Sequence, residues 1–263
     1  MPFVERNGLR WWEDEVLAGL GVKHGFFTRH GGVSPRPWAS LNVGGTVGDD
    51  PAHTRENLRR AFAALGRDVA SRYDTWLVHG ARAVRAEAPR RPTMPPLQAD
   101  IILTANPRVT LFMRFADCVP LLLYDPRRRA LALAHAGWRG TVAGAALAAV
   151  RALQQAYGTR PRDLIAVIGP SIGPEDYAVS PEVVAQVRAA FGPEAAARVL
   201  PRFNGRWHFD LWAANAWQLR QAGVHQVRLV GLSTAAHVED WYSHRAEKGR
   251  TGRFAVLAAL EAA

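Results

Sequence analysis

A chain of 263 residues that is 48% hydrophobic and 21% charged has the make-up of a soluble globular protein with a substantial core. One cysteine excludes an intrachain disulfide and any all-cysteine metal site. The formal charge of +10 suggests nucleic acid, but only Lys23 and Lys248 are lysine and the arginines are spread along the chain. No recognition motif accompanies them, so no nucleic-acid partner is expected, and a small anion such as phosphate suits the charge equally well.

In chain order, residues 1–24 read as an irregular lead-in with one short strand. They lack the charged-then-apolar pattern of a signal peptide, and no run reaches the roughly 18 apolar residues of a membrane span. The expectation is a cytoplasmic protein without a membrane partner. A strand over 24–27 then enters the Gly31-Gly32 turn, which places Arg29 and Asn42 on shaped loops. Asp50 caps a helix with Pro51 at its first position, and the stripe Leu58, Ala61, Phe62 and Leu65 carries it to about residue 65. A strand over 74–80 ends near His79, a proline-rich loop covers 87–96, and strands follow at 101–103 and 110–113.

Next come two apolar runs, 118–124 and 130–136, about the turn Asp125-Pro126-Arg127-Arg128-Arg129, which read as a hairpin. Cys118 opens the first run and His135 closes the second, so a hairpin brings them side by side. A helix is expected over 141–157 with Gly158 as its stop, then a buried strand over 164–168. Ser180 caps a helix to about residue 191, and Asp210 caps another that runs to 222. The last strands fall at 227–231 and 254–257. Strands and helices mix without strict alternation, which predicts an α+β fold, an α/β sandwich, in one domain over residues 1–263.

His79, Cys118 and His135 have the chemistry of one metal site: imidazole and thiolate suit zinc or copper, and three ligands leave a position for water or substrate. Their spacings, 39 and 17 residues, match no compact zinc-finger pattern. Taken alone, the same residues also fit a core cysteine or a Cys118–His135 nucleophile pair. The turn Gly137-Trp138-Arg139-Gly140-Thr141 is either strand–helix punctuation or an anion-facing turn that carries Arg139.

The block Ala116-Asp117-Cys118-Val119-Pro120 followed by His135-Ala136-Gly137-Trp138-Arg139-Gly140 resembles the signature of the laccase-domain family. These proteins were first called polyphenol oxidases and later assigned as purine nucleoside phosphorylases with adenosine deaminase activity. Further matching blocks include Thr28-Arg29-His30-Gly31-Gly32, Ser40-Leu41-Asn42-Val43-Gly44, Val78-His79-Gly80 and Thr251-Gly252-Arg253. The resemblance implies central β-sheets with outer helices, a fold also likened to certain Cys-His toxins. It also implies zinc, with copper possible, on His79, Cys118 and His135.

Purine nucleosides (adenosine, inosine, methylthioadenosine) and phosphate are then the expected partners, with the chain a monomer or a homodimer. Cys118 and His135 are the expected catalytic groups, with Asp117 as candidate for proton handling. Arg29 and Arg139 are candidates for phosphate, and Asn42 for the sugar or base. A metal-bound water of lowered pKa is the expected nucleophile for deamination. The rival expectations are a Cys118 hydrolase or amidase editing peptidoglycan precursors, a copper-dependent polyphenol oxidase and a non-enzymatic scaffold. The chain departs from the family pattern at Leu77, Asn57-Leu58, Ala178-Val179-Ser180, Ser233-Thr234 and Ala246.

Overall fold

The computed structural model describes residues 3–262. The opening hairpin pairs β1 (Phe3–Arg6) with β2 (Leu9–Trp12) through Asn7-Gly8, both at positive φ (53° and 76°). That is the mirror-image two-residue turn that Asn-Gly favours. After α1 (Glu15–Gly19) come β3 (Val22–Phe27) and α2 (Pro51–Ala64). The Asp50 carboxylate accepts from Ala52 N at 2.7 Å and so caps α2. Four strands follow: β4 (Arg72–Tyr73), β5 (Ala83–Arg85), β6 (Ile101–Thr104) and β7 (Thr110–Phe115). The predicted hairpin is β8 (Val119–Asp125) with β9 (Ala130–Ala136), and the Asp125 carboxylate receives Arg127 N and Arg128 N in its turn.

The second half holds α3 (Trp138–Val142), α4 (Ala145–Tyr157), β10 (Ile165–Ile168) and α5 (Pro181–Val199). A small ribbon of β11 (Arg202–Phe203) and β12 (Arg206–Trp207) leads to α6 (Leu211–Gln221), β13 (Gln226–Leu229) and β14 (Phe254–Leu260). Two six-stranded sheets result, ordered β1-β2-β3-β14-β7-β4 and β13-β10-β8-β9-β6-β5. The α+β sandwich expected from sequence is the architecture found.

Side-chain alternation sorts the core into layers. Leu122, Leu133 and Val167 of the second sheet meet Phe26, Met113 and Val256 of the first in the space between them. Leu121, Ala134 and Ala166 point the other way, against α4, α5 and α6. On the far side of the first sheet, Phe112 and Leu257 pack under Leu58, Ala61 and Phe62 of α2. Each fully buried Leu, Val or Phe contributes about 1.5–3 kcal/mol relative to an exposed one.

Four expectations need correction. The lead-in holds two strands and a helix, because Asn7-Gly8 is a hairpin signal. The helix expected over 141–157 is two helices, parted at Gly144 with φ 81°. The helix after Ser180 continues past residue 191, with its break at Gly192 and Pro193. The segment 74–80 is no strand: apart from one bridge between Trp76 and Gln98 it is a loop, and His79 has φ 60°.

The loops before α2 hang on two buried side chains. Asn57 of α2 donates to Ser34 Oγ and to the Asn42 carbonyl, both at 2.8 Å, and accepts from Val33 N. Asp49 accepts from Ser34 Oγ, Asn42 Nδ2 and Asp50 N. Burial pushes the Asp49 carboxyl up, but these donors outweigh it and hold it below its ordinary 3.8. A carboxylate lowered by folding stabilises fully above that ordinary value, and the gain is lost as pH falls through the lower folded value. Asp49→Asn is therefore expected to cost about 1–3 kcal/mol at pH 7, and urea unfolding should show the gap from wild type closing as pH falls below 3.8.

Candidate metal centre

The register of the hairpin sets two of the three donors. Pro120 pairs with His135, and Leu122 with Leu133. His135 therefore shares the intersheet face with Leu131 and Leu133, while Cys118, just before β8, has the parity of Leu122 and Tyr124. Both side chains sit at the open end of the sandwich, and the Phe115 ring lies 5.4 Å from that of His135. His79 comes from the loop at 74–80. Its ring stands edge-on to that of His135, 5.0 Å between centroids. The donor atoms of His79, Cys118 and His135 all lie within 4.8 Å of one another.

One carboxylate that sequence reasoning missed holds this arrangement. Asp100, fully buried, precedes β6, which pairs with β9 through Ile101 and Ala134. Its oxygens accept from the backbone N–H of Val78, His79 and Gly80 at 3.1, 3.0 and 2.8 Å. One of them also lies 3.0 Å from His135 Nδ1. A proton held on Nδ1 by Asp100 makes Nε2 the nitrogen that a metal would bind, once the ion has displaced the proton that nitrogen shares with Cys118. The only signal in the sequence was an acidic residue at the foot of the apolar run Ile101-Ile102-Leu103.

The electrostatics suit a cation. Burial pushes the Cys118 thiol up, but His135 and His79 outweigh it and bring the thiol to about 6. Burial pushes His135 down, yet the Cys118 charge and Asp100 raise it to about 9. The thiolate is thus the favoured form at neutral pH, as a ligand or as a nucleophile. Gly137 completes the enclosure: a Cβ there would lie 2.8 Å from Cys118 Sγ and 3.4 Å from His79 Cδ2. Two imidazoles and a thiolate, with Asp100 behind one of them, fit a zinc-type ion with one position left open.

The three donors line a cleft of 820 Å³ that also exposes Arg139, Arg245 and Arg253. Among the described residues no carboxylate pairs with these three. Arg139 lies 4.3 Å over the Trp138 ring, Arg245 donates to the Ala178 carbonyl, and Arg253 to those of Thr251 and Gly252. Tyr177 lines the same wall, and burial together with the Cys118 charge raises its hydroxyl well above its ordinary 10.0.

Asp117 also faces the cleft, but its oxygens are taken by Thr234 Oγ1 at 2.8 Å and Arg245 N at 2.6 Å. Arg29 and Asn42 are not brought to the cleft. The Arg29 guanidinium is held by the carbonyls of Ala39 and Val238 and by Glu247. Asn42 is fully buried, and its Oδ1 accepts from Gly44 N and Arg253 N, each at 2.8 Å. Arg245 and Arg253 were missed as site residues, although the motif Thr251-Gly252-Arg253 contains one of them.

Three of the altered family blocks lie at or beside the cleft. Leu77 lines the cleft, the Ala178 carbonyl takes Arg245, and Ser233 Oγ accepts from Gly173 N.

Comparison with known proteins agrees with this geometry. A family model described as multi-copper polyphenol oxidoreductase laccase matches residues 23–261. The chain is 42% identical to a protein of Deinococcus radiodurans named purine nucleoside phosphorylase, over 89% of this chain and 87% of that one. It is 35% identical to the purine nucleoside phosphorylase YlmD of Geobacillus stearothermophilus, over 96% of each. A crystal structure of YlmD from the same species superposes with a TM-score of 0.91 at 31% identity, covering 99% of both chains. A Bacillus licheniformis protein described as hypothetical protein YfiH gives 0.89 at 30% identity, again over 99% of both. With the family model matched over residues 23–261 and relatives of 35–42% identity covering 87% or more of either chain, the chain belongs to the laccase-domain family.

Proposed function

We propose that the chain is a metal-dependent purine nucleoside phosphorylase acting on adenosine, inosine and methylthioadenosine, and that adenosine deamination occurs at the same centre. The observation that carries this is one cleft holding both a three-donor metal site and three arginines without carboxylate partners. Relatives named purine nucleoside phosphorylase support it. His79, Cys118 and His135 would hold zinc, with copper also suited to these donors. When bound, the ion supplies a Lewis acid and a water of lowered pKa.

The chain's own residues do the rest. Arg139, Arg245 and Arg253 grip phosphate through paired N–H donors. A phosphate oxygen then bonds to ribose C1′ while the bond from C1′ to the purine nitrogen breaks, its electron pair leaving with the base. Tyr177, kept protonated, donates to the base or the ribose. Asp117 holds the Arg245 backbone rather than moving a proton, since both of its oxygens are engaged. Asn42 acts through Arg253 N, and Arg29 acts through Glu247, which also accepts from Ser243 N next to His244 and Arg245. These two are positioning residues.

One observation favours a second reading. Cys118, His135 and Asp100 are also laid out as a nucleophile, a base and the carboxylate that orients it. A hydrolase or amidase working through Cys118 would leave a covalent adduct on that residue in mass spectrometry and keep its activity in chelator. The phosphorylase reading expects neither.

Zinc-loaded protein should release adenine from adenosine only when phosphate is present, and ammonia from adenosine without it. Release of neither product overturns the reading. Arg139→Met is expected to raise the KM for phosphate by about 10- to 100-fold, the worth of one charged hydrogen-bonded contact. Asp100→Ala should weaken zinc binding by about 10- to 100-fold in chelator competition. Asp100→Asn, which keeps the side chain's shape, should fall between that variant and wild type.

A further inference from the structure

We infer that Arg72 and Arg114, set around Asp74 on the far wall of the cleft, form a second anion subsite that takes the 5′-phosphate of a nucleotide. The cleft then accepts nucleoside 5′-monophosphates as well as nucleosides. The inference rests on the nucleoside reading above for the base and ribose, and on separate residues for the phosphate.

Asp74 is buried, and three guanidinium groups converge on it. Arg90 Nη2 and Arg72 Nε approach Oδ1 at 2.8 and 3.4 Å, and Arg114 Nη2 approaches Oδ2 at 3.2 Å. Among the described residues no other carboxylate pairs with any of the three. Three positive charges against one negative leave an excess of two on a partly buried wall. A structural ion cluster gains nothing from such an excess, since the guanidinium groups repel one another where water screens them poorly. Burial pulls Arg114 below its ordinary value, and Arg72 and Arg90 add to that pull against Asp74. An anion removes the imbalance.

The unused donors say where that anion sits. Arg90 is spent: its Nε and Nη2 go to Asp74 and its Nη1 to the Met94 carbonyl. Arg114 gives Nε to the Val43 carbonyl and Nη2 to Asp74, which leaves Nη1 without a protein partner among the described residues. Arg72 likewise keeps both terminal nitrogens. Arg90 therefore fixes Asp74, and Asp74 holds Arg72 and Arg114 with free N–H groups toward the cleft that all of them line.

The position separates this subsite from the phosphate that attacks C1′. Along β7, Phe115 faces the intersheet space and touches the His135 ring, whereas Arg114 faces the opposite side and stacks 4.5 Å over Phe112. A phosphate held there lies on the other face of the strand from the metal donors. The 5′ carbon is the one exocyclic arm of ribose, and an anion on it extends away from the reacting carbon. At 820 Å³ the cleft lies toward the upper end of the roughly 300–1,000 Å³ usual for ligand sites, which leaves room for that arm. Phosphorolysis of such a nucleotide forms the bond from C1′ to a phosphate oxygen, breaks that from C1′ to the purine and leaves the 5′ ester intact. The purine departs with a proton carried in by hydrogen phosphate, and the products are free base and ribose 1,5-bisphosphate.

Calorimetric titration of the zinc-loaded protein, in phosphate-free buffer, with inosine 5′-monophosphate and with inosine, which has no 6-amino group to lose, tests the inference without turnover. The expected result is at least tenfold tighter binding of the nucleotide, a preference that shrinks as salt rises. Arg114→Gln should bring the ratio of the two affinities to within about threefold, and Arg114→Lys should restore part of it. Arg72→Gln, on the edge strand β4 of the same site, gives the same readout if the Arg114 variants fail to fold. Equal affinity for nucleotide and nucleoside in the wild type overturns the inference, whether or not adenosine is phosphorolysed. A raised KM for inorganic phosphate in Arg114→Gln, with no nucleotide preference, also overturns it and assigns the co-substrate to this wall. Tight nucleotide binding without any phosphorolysis leaves the subsite standing and overturns the phosphorylase reading instead.

Discussion

The site depends on the Asp100 carboxylate more than on any of the metal donors. Three consecutive backbone N–H groups, those of Val78, His79 and Gly80, point at it from one side, and His135 Nδ1 meets it from the other. Hydrogen bonds to a charged acceptor contribute about 1.5–3 kcal/mol each. Together they hold a loop whose β pairing is limited to the single bridge from Trp76 to Gln98, and they make the left-handed backbone of His79 tolerable. The same oxygen fixes the tautomer of His135. Both histidines are therefore oriented before any ion arrives, and desolvation of Asp100 is offset by the four donors that converge on it.

Sheet parity does the complementary work. Because β8 and β9 pair in a register that sets Pro120 opposite His135, Cys118 and His135 fall on one face, and that face is the intersheet one. A slip of one residue would turn His135 toward the helices and bring Ala134 or Ala136 to the cleft. The register is held along its length by the alternation of Leu121 and Leu123 against α4–α6 with Leu122 and Tyr124 against the other sheet. Core packing thus decides which side chains reach the metal site.

This division explains what was legible in the sequence. The hairpin, the capped helix at Asp50 and the helix at Asp210 are local events, written in alternation, turn residues and caps, and they stand where expected. The trio of donors was legible through motifs. The strand expected over 74–80 was not a strand, because its N–H groups satisfy a carboxylate twenty residues onward, and no local pattern encodes that. Asp100 is legible only once β6 is known to pair with β9. Arg29 and Asn42 read as cleft residues because they sit in family blocks. In the fold their polar groups are consumed by neighbouring loops, Arg29 by Glu247 and backbone carbonyls, and Asn42 by the N–H groups of Gly44 and Arg253.

The positive charge of the chain takes on meaning only in three dimensions. Read along the sequence, arginines spread without pattern look like compositional bias. Folded, six of them line one cleft beside only two of the chain's carboxylates, Asp74 and Asp117. Those two act differently: Asp117 is bound to Thr234 and a backbone N–H and, among the described residues, is in direct ion pairing with no guanidinium, while Asp74 gathers three. The arginines nearest the metal donors are therefore free for one anion, and the wall beyond β7 has an excess for another. A cleft so charged binds its anions by field as well as by contact, since low-dielectric walls concentrate the potential. Removing a single arginine then weakens every anion in the cleft a little and its own partner a great deal, so the two subsites are told apart by ratios of affinity rather than by affinity alone.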